Sequence, residues 1–431
     1  MAFFVPSSRK ASRIALAAAV MSVGALGVSA IDAPAYAKKE KEEKKEGPKF
    51  SEEFQKAFLP VEQASKDESV TKEDLLQRIL ATESTVSTPD DQIVFANNLY
   101  QVALGLENYE MASKGMEMML DSGKVPAENA GQYNFIAGQL LYNLKDYPKA
   151  RARLMKAAAA GYEKPELSNL ISQTYMLEDD VAGGLEYIRG QLDQQIEAGK
   201  KPDEGLIERG FSLAYNNDMY ADAATFANMR VEYYPSEMSW RNAVGVQRNF
   251  ADLDDPEILD LMRLMHATGT MTEAREYGDY INAANYRRLP AEVVEIGQEG
   301  IDKGLLSPSD TFVAEAIKEG RDRSPGLRAD MAGLASDAKA PGASGSLAIA
   351  AGDTYLNFGE AAKAAELYEV ALTRPDVDRD TALTRLGIAQ LESGDAAAAQ
   401  ETFAKVQGDR APIAKLWAIF AGQQASAGSA G

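Results

Sequence analysis

Residues 352–371 read GDTYLNFGEAAKAAELYEVA, and residues 387–406 follow the same pattern as GIAQLESGDAAAAQETFAKV. Corresponding positions are 35 residues apart, and most carry similar side chains; the pairs are Gly352 and Gly387, Tyr355 and Gln390, Gly359 and Gly394, Ala364 and Ala399, Tyr368 and Phe403, and Ala371 and Val406. A fixed period of this length is typical of helix pairs that stack on one another. The sequence therefore predicts an all-α solenoid of antiparallel helix pairs.

The small residues of each repeat predict where its two helices cross. A glycine in the first helix lets the second helix approach, and a larger side chain there would push the two backbones apart. We therefore assign packing roles to six residues of the C-terminal repeats: Gly352, Ala364, Tyr368, Gly387, Ala399 and Phe403. Gly359 and Gly394 fall between the helices, where a positive φ ends the first helix at no steric cost.

The same spacing of small and large residues recurs upstream. It appears at Gly138, Leu141, Ala150, Leu154 and Ala157, and again 34 residues after Gly138 in a unit with Ser172, Tyr175, Gly184 and Ile188. This pattern resembles the tetratricopeptide repeat family, in which Gly138 and Ala150 would be the small structural residues of one unit. The resemblance implies that the first helix of each pair lines a concave face that binds protein or peptide segments.

Between Trp240 and Ala340 the repeat pattern degenerates. Apolar residues still recur at helical spacing, as at Ile258, Leu261 and Met265, but the small-residue positions are lost. These helices are either divergent helical hairpins or a different helical insert. The predicted fold is thus a tetratricopeptide-like solenoid that is degenerate in its middle.

The N-terminus has the features of an export signal. Arg9 and Arg13 belong to a basic segment, the run from Ile14 to Ala30 is apolar, and Ala35 and Ala37 supply small residues at a cleavage point. We expect cleavage before Lys38 and a periplasmic protein, with secretion as the alternative. A cut after Val28, Ser29 and Ala30 and an uncleaved membrane anchor are the other interpretations of this segment. The apolar run is shorter than the roughly 20 residues that span a bilayer, so we expect no stable membrane insertion after signal cleavage.

Composition shifts suggest the remaining boundaries. The segment from Lys38 to Lys49 is almost wholly Lys and Glu, and residues 340–346 read APGASGS. The predicted organisation is a signal peptide over 1–37, a charged disordered arm over 38–50, an N-terminal repeat array over 51–338 that diverges after 240, a flexible joint over 339–346, C-terminal repeats with a capping helix over 347–421, and a disordered tail over 422–431.

Reactive residue types are scarce in this chain. It has no cysteine and a single histidine, His266, which lies among apolar residues and is interpreted as a partly buried helix residue. Ser69 and Lys72 have the Ser-x-x-Lys spacing of some hydrolases, but Thr71 before Asp74 also fits a helix N-cap. Asp376, Asp378 and Asp380 lack the glycine and glutamate that complete a calcium loop. We therefore expect no catalytic residue, no metal and no cofactor.

The candidate partner surface is the concave face that the resemblance implies. Its predicted residues are Asn97, Gln101, Phe135, Gln139, Tyr142, Asn143, Asn169, Gln173 and Met176. Asn and Gln side chains hydrogen-bond the backbone of an extended peptide, while the aromatic rings hold apolar side chains. In the C-terminal repeats the corresponding residues, among them Ile349, Leu356 and Ile388, form a more apolar face that suits packing on another helix.

These observations favour a non-catalytic periplasmic scaffold or adaptor that binds protein segments. The formal net charge of −20 argues against nucleic acid as a partner, because phosphates would be repelled. A chaperone-like or saccharide-binding solenoid is the alternative. A hydrolase that uses the unassigned region from Trp240 to Ala340 is a third hypothesis, and the oligomeric state is left open.

Overall fold

The computed structural model describes residues 48–429, and over that range the chain forms twenty α-helices and no β-strand. The predicted all-α fold class is confirmed for this part of the chain. The predicted signal peptide, 1–37, and most of the charged arm, 38–50, lie outside the described residues. None of the helices in the described part is both long and apolar enough to cross a membrane. The chain divides into two compact units, residues 1–180 and 181–431.

Between residue 48 and the end of the first unit the chain forms seven helices. They are α1 (Glu52–Ala64), α2 (Lys72–Ala81), α3 (Pro89–Gly105), α4 (Tyr109–Asp121), α5 (Ala127–Asn143), α6 (Tyr147–Ala159) and α7 (Pro165–Met176). Helix α3 pairs with α4 and α5 with α6, and each pair packs on the helix that follows it. Met116, Leu140 and other buried apolar residues fill the space between the helices.

The second unit contains thirteen helices within the described range. They are α8 (Val181–Glu197), α9 (Glu204–Asn216), α10 (Tyr220–Tyr233), α11 (Glu237–Phe250), α12 (Asp255–Ala267), α13 (Ala274–Ala284), α14 (Pro290–Asp302), α15 (Thr311–Lys339), α16 (Gly345–Asn357), α17 (Ala361–Leu372), α18 (Arg379–Glu392), α19 (Ala396–Phe403) and α20 (Ala411–Ser429). One continuous hydrophobic core runs through the unit from Leu185 to Ala421. Besides its neighbour α19, α20 packs on α10, α11, α12 and α18.

One kind of turn joins the helices of five pairs. Each turn has a residue with positive φ after the first helix; these residues are Glu107, Lys145, Asp218, Gly359 and Gly394. The next backbone N–H donates back to a carbonyl five residues earlier, as from Glu360 to Tyr355 at 3.0 Å. Glycine adopts this conformation freely, whereas other residues lose about 1–2 kcal/mol in it. The turn is therefore conserved in shape along the chain even where its glycine is missing.

Close helix crossings explain the small residues of the repeats. A Cβ atom on Gly352 would lie 2.5 Å from the ring of Tyr368, and one on Gly387 would lie 2.5 Å from the ring of Phe403. Gly138 meets Leu154 and Gly210 meets Phe226 in the same way, at 2.6 Å and 2.5 Å. The alanines Ala150, Ala364 and Ala399 are fully buried beside these crossings. Each crossing thus needs a residue without a side chain.

The middle of the chain consists of helical hairpins. Helix α12 packs on α13, α13 on α14 and α14 on α15. A close helix crossing in this region has a different sequence separation between the glycine and the residue that it faces. A Cβ on Gly297 would lie 2.8 Å from Ile317, which is twenty residues later in the chain. The repeats therefore diverge in sequence while the pairing of helices continues.

The predicted flexible joint over 339–346 is corrected by the structure. Helix α15 extends to Lys339 and α16 begins at Gly345, whose N–H donates to Asp376 Oδ1 at 2.9 Å. Arg374 Nη2 donates to the carbonyls of Ala338 and Ala340, both at 3.1 Å. Side chains of the next repeat thus fix this turn, and the boundary between the compact units falls between residues 180 and 181.

The disordered tail predicted for 422–431 is corrected as far as Ser429. Helix α20 continues to that residue, and Gln423 Nε2 donates to the carbonyl of Val231 at 2.9 Å. Ala421, just before this segment, is fully buried. The Gly-, Ser- and Ala-rich sequence is helical here because small side chains let α20 pack against α10 and its neighbours.

Substitution of a crossing glycine should destabilise the protein. In Gly352→Ala the new methyl group would clash with the Tyr368 ring, so we expect the free energy of unfolding to fall by about 2 kcal/mol in urea denaturation. Gly333, in α15, has nothing within 4 Å of a Cβ position, and Gly333→Ala should raise stability by up to about 1 kcal/mol. Equal effects of the two substitutions would contradict the crossing geometry.

Candidate binding surfaces and the buried charge network

The predicted partner residues lie on α3, α5 and α7 of the first unit. Four of them are exposed: Gln101, Asn169, Gln173 and Met176. Four are half-buried: Asn97, Gln139, Tyr142 and Asn143. We call these eight residues the amide row. None of the eight side chains carries a charge at neutral pH, so the surface offers hydrogen bonds rather than ion pairs.

Phe135 does not belong to this surface, and its predicted role is corrected. Its side chain is 8% exposed, and its ring centroid lies 4.9 Å from that of Tyr162. Gly131, one turn earlier in α5, allows this approach, because a Cβ there would lie 2.9 Å from Tyr162 Cβ. The residues after α6 thus fold over Phe135, which becomes part of the core.

A hydrogen bond joins two helices across the amide row. Tyr142 OH donates to Gln173 Oε1 at 2.9 Å and so links α5 to α7. The ring of Tyr142 also contacts that of Tyr147, with centroids 5.6 Å apart. Burial, and to a smaller extent the nearby Tyr147, raises the pKa of Tyr142, so its hydroxyl stays protonated at neutral pH. Gln173 keeps its Nε2 hydrogens for a ligand.

Exposed apolar side chains occur at the ends of the same helices. Leu144 follows α5 and is 40% exposed, whereas Met176 ends α7 and Leu177 follows it, at 50% and 49% exposed. Uncharged amides and exposed apolar side chains therefore occur on the same helices, a combination that suits an extended peptide.

The Ser-x-x-Lys spacing does not form a catalytic pair in the structure. Ser69 donates its hydroxyl proton to Asp67 at 2.6 Å, whereas Lys72 Nζ donates to the carbonyl of Gly105 at 3.3 Å. Thr71 accepts from the backbone N–H of Asp74 at 3.2 Å, which confirms its interpretation as the N-cap of α2.

The three aspartates before α18 have separate structural partners. Asp376 accepts from Gly345, Asp378 caps α18 by accepting from Thr381, and Asp380 accepts from the N–H of Gln407 at 2.9 Å. Within residues 48–429, no group of three or more histidine or acidic side chains is placed to hold a metal ion.

His266 joins α12 to α14. Its Nε2 lies 2.6 Å from Glu299 Oε2, and Glu299 Oε1 accepts from Tyr277 OH at 2.9 Å and from Lys303 Nζ at 2.6 Å. Burial acts to raise the pKa of Glu299, but the donors Lys303, His266 and Tyr277 outweigh it and lower the pKa to about 2. The histidine thus stabilises a carboxylate that holds two helices together.

A buried charge network that was not predicted from the sequence is centred on Asp260. This side chain has no solvent exposure, and its Oδ2 accepts from Arg410 Nη1 at 2.5 Å. Its Oδ1 lies 3.6 Å from Arg263 Nη1 and 3.7 Å from Arg385 Nε. The carbonyl of Asp260 accepts from Trp417 Nε1 at 3.0 Å. One residue of α12 therefore contacts α18, α20 and the turn before α20.

Two further carboxylates balance the arginines of this network. Glu292 accepts from Arg263 at two positions, both 2.7 Å, and from Tyr280 OH at 2.8 Å. Asp353 is ion-paired with Arg385 and accepts from Tyr368 OH at 2.8 Å. Burial opposes ionisation of Glu292, yet the positive charge of Arg263 keeps its pKa below the usual value.

The network has a structural role, because its charged groups meet one another rather than solvent. Three carboxylates and three guanidinium groups converge, so the buried charge sums to zero. The available sequence signal was the presence of Asp260 and Arg263 inside the apolar run from Ile258 to Met265. Their partners, up to 157 residues away in the chain, could not be read from local spacing.

Substitution of one buried arginine should lower the free energy of unfolding far more than substitution of a surface lysine. Arg385→Met leaves Asp353 and Asp260 less compensated, so we expect the free energy of unfolding to fall by about 3–5 kcal/mol. The control is Lys318→Met, which breaks the exposed pair with Asp322 and should change stability by less than about 1 kcal/mol. Urea titrations of both variants measure the difference, and similar losses would refute the assignment.

The low pKa of Glu299 predicts a pH-dependent contribution to stability. Its folded pKa is depressed from 4.5 to about 2, so the stabilisation is fully present above about pH 4.5 and is lost as the pH falls toward 2. The difference in unfolding free energy between the wild type and Glu299→Gln should therefore shrink over that window. Glu315→Gln, which alters an exposed carboxylate on α15, should show a small difference throughout. A constant Glu299→Gln difference would contradict the assignment.

No protein-family model and no curated protein sequence matches the chain. Several solved structures are similar to it at low identity. A structure of Naa15/Naa10 bound to HypK-THB has 13% identity to this chain and a TM-score of 0.34. The match covers 84% of this chain and 64% of the other, so this chain spans less than two thirds of the length of that protein. The P58(IPK) TPR domain shares 12% identity over 87% of this chain and 99% of that one, with a TM-score of 0.22.

The APC/C hetero-tetramer Cut9-Hcn1 gives 12% identity over 88% of this chain and 85% of that one, with a TM-score of 0.20. At such TM-scores these likenesses assign no partner or activity, and the architecture rests on the helix pairs, their shared turn and their glycine crossings. The chain has an all-α, tetratricopeptide-like repeat fold.

Proposed function

We propose that the protein is a non-catalytic scaffold that binds extended protein segments along the amide row of the first unit. The observation that carries this proposal is the hydrogen bond from Tyr142 to Gln173, which fixes two neighbouring helices and leaves uncharged amides exposed beside it. Side chains already held in place lose less conformational freedom when a ligand binds.

The chemistry of the row suits a peptide backbone. An extended segment presents N–H and C=O groups in alternation, and Asn and Gln side chains both donate and accept. Met176 and Leu177 are exposed at the end of α7 and would contact the apolar side chains of the segment. Binding of this kind depends on backbone shape and on a few apolar contacts, so it tolerates varied sequences.

We further propose that the scaffold acts in the periplasm, with secretion as the alternative. The basic and apolar residues between Arg9 and Ala37 support export, and the absence of cysteine suits a protein that folds in an oxidising compartment without disulfides. The overall negative charge favours weakly basic protein partners over nucleic acid.

Site-specific photo-cross-linking in intact cells tests the proposal. A photoreactive residue at Gln101 or Gln173 should capture a small set of periplasmic proteins, because both positions lie on the amide row. The same residue at Lys156, exposed on α6, is the matched control and should capture none. Equal capture at all three positions would refute the surface, and capture of many unrelated proteins would favour the chaperone-like alternative.

The variant Tyr142→Phe sharpens this experiment. Loss of the hydroxyl releases Gln173 while the ring stays in place, so capture by the photoreactive residue at position 101 should fall by about fivefold, as expected for one hydrogen bond. The thermal melting curve should change little, since the hydroxyl is half-buried at the surface. Unchanged capture would show that the preorganised pair does not contribute to binding.

A further inference from the structure

A cluster of aromatic side chains lies on α9 and α11 of the second unit. The rings of Phe211 and Tyr215, both on α9, have centroids 5.5 Å apart at an interplanar angle of 37°. The ring of Phe250, at the end of α11, meets Tyr215 edge to face at 5.2 Å and 86°. All three side chains are half-buried, so each keeps part of its apolar surface exposed to solvent.

Hydrogen-bond donors adjoin these rings. Asn249 Nδ2 donates to Tyr215 OH at 2.6 Å, so the hydroxyl proton of Tyr215 remains available to an outside acceptor. Tyr220 OH donates to Gln247 Oε1 at 2.7 Å, and the ring of Tyr220 lies 6.1 Å from that of Phe250.

Gln247 has an unmatched donor beneath the cluster. The side chain is 1% exposed, and its Nε2 has no hydrogen-bond partner among the described residues. A buried amide donor without an acceptor lowers the stability of the folded protein, by more than a typical hydrogen bond contributes to it. A ligand carbonyl oxygen that reached this Nε2 would satisfy it.

We propose that this aromatic cluster binds a proline-rich protein segment in the polyproline II conformation. Such a segment has few N–H groups, and its carbonyl oxygens project outward, so it matches the spare donors of Tyr215 and Gln247. Rings that meet at an angle accept a pyrrolidine ring between them, as aromatic-lined grooves for such segments do. The cluster lies on α9 and α11, apart from the amide row, so this proposal does not depend on the proposed function.

The arrangement fits a saccharide less well. A sugar ring stacks flat on a broad aromatic face, whereas the rings here are inclined by 37° and 86° to their neighbours. Sugar hydroxyls also both donate and accept, and so would not select for the donor excess of Tyr215 and Gln247.

Calorimetric titration with a decaproline peptide tests the proposal. The chain without residues 1–37 should bind decaproline with a Kd below about 1 mM, and a Gly-Ser peptide of equal length should not bind. Tyr215→Phe should weaken binding by about fivefold because it removes one donor. Phe250→Ala should abolish detectable binding, whereas Lys156→Ala, at an exposed position on α6, should leave it unchanged. Circular dichroism melting checks that each variant is folded.

Three outcomes would overturn the proposal. They are the absence of decaproline binding to the wild type, wild-type affinity in both Tyr215→Phe and Phe250→Ala, and binding of cellohexaose in place of decaproline. Asn249→Ala provides a second folded variant, because its side chain is exposed and its loss disturbs only the position of the Tyr215 hydroxyl. Its affinity should fall by about twofold to fivefold, and an increase would also count against the proposal.

Discussion

Two helices of a pair cross closely where one of them lacks a side chain at the point of contact. Gly352 under Tyr368 and Gly387 under Phe403 are the clearest cases, each with 2.5 Å between a would-be Cβ and the ring. The crossing fixes which face of the first helix turns away from its partner. The amide row lies on α3, α5 and α7, and the shared turn follows α3 and α5.

The second unit departs from the rule that each repeat contacts only its neighbours. Helix α20 returns to α10, α11 and α12, and Asp260 joins α12 to residues more than 120 positions later in the chain, at Arg385, Arg410 and Trp417. The desolvation of these charges is unfavourable unless each finds an opposite charge at short range. The network therefore restricts how α12 can pack against α18 and α20. Apolar contacts alone would tolerate more arrangements of these helices.

The features that could be predicted from the sequence are those with local causes. Repeat spacing, glycine turns and the Thr71 cap depend on residues within about one helix pair, so periodicity revealed them. The joint, the tail and Phe135 were mispredicted because distant or folded-back residues decide them. Gly345 marks a close contact, not flexibility, since a Cβ there would lie 2.7 Å from Val377 Cα. Amino-acid composition does not distinguish a glycine in a flexible segment from a glycine at a close packing contact.

The position of α20 also explains where surfaces remain open. Phe420 packs edge to face on Trp240 near the start of α11, whereas Phe250 at the end of the same helix stays half-buried. Further along the unit, Ile349, Leu356 and Ile388, which were predicted to pack on another helix, are buried. The inner faces of α12, α16 and α18 are thus filled by charges and apolar contacts of the chain itself. Within this unit, the half-buried rings on α9 and at the end of α11 remain as the surface to which we assign a ligand.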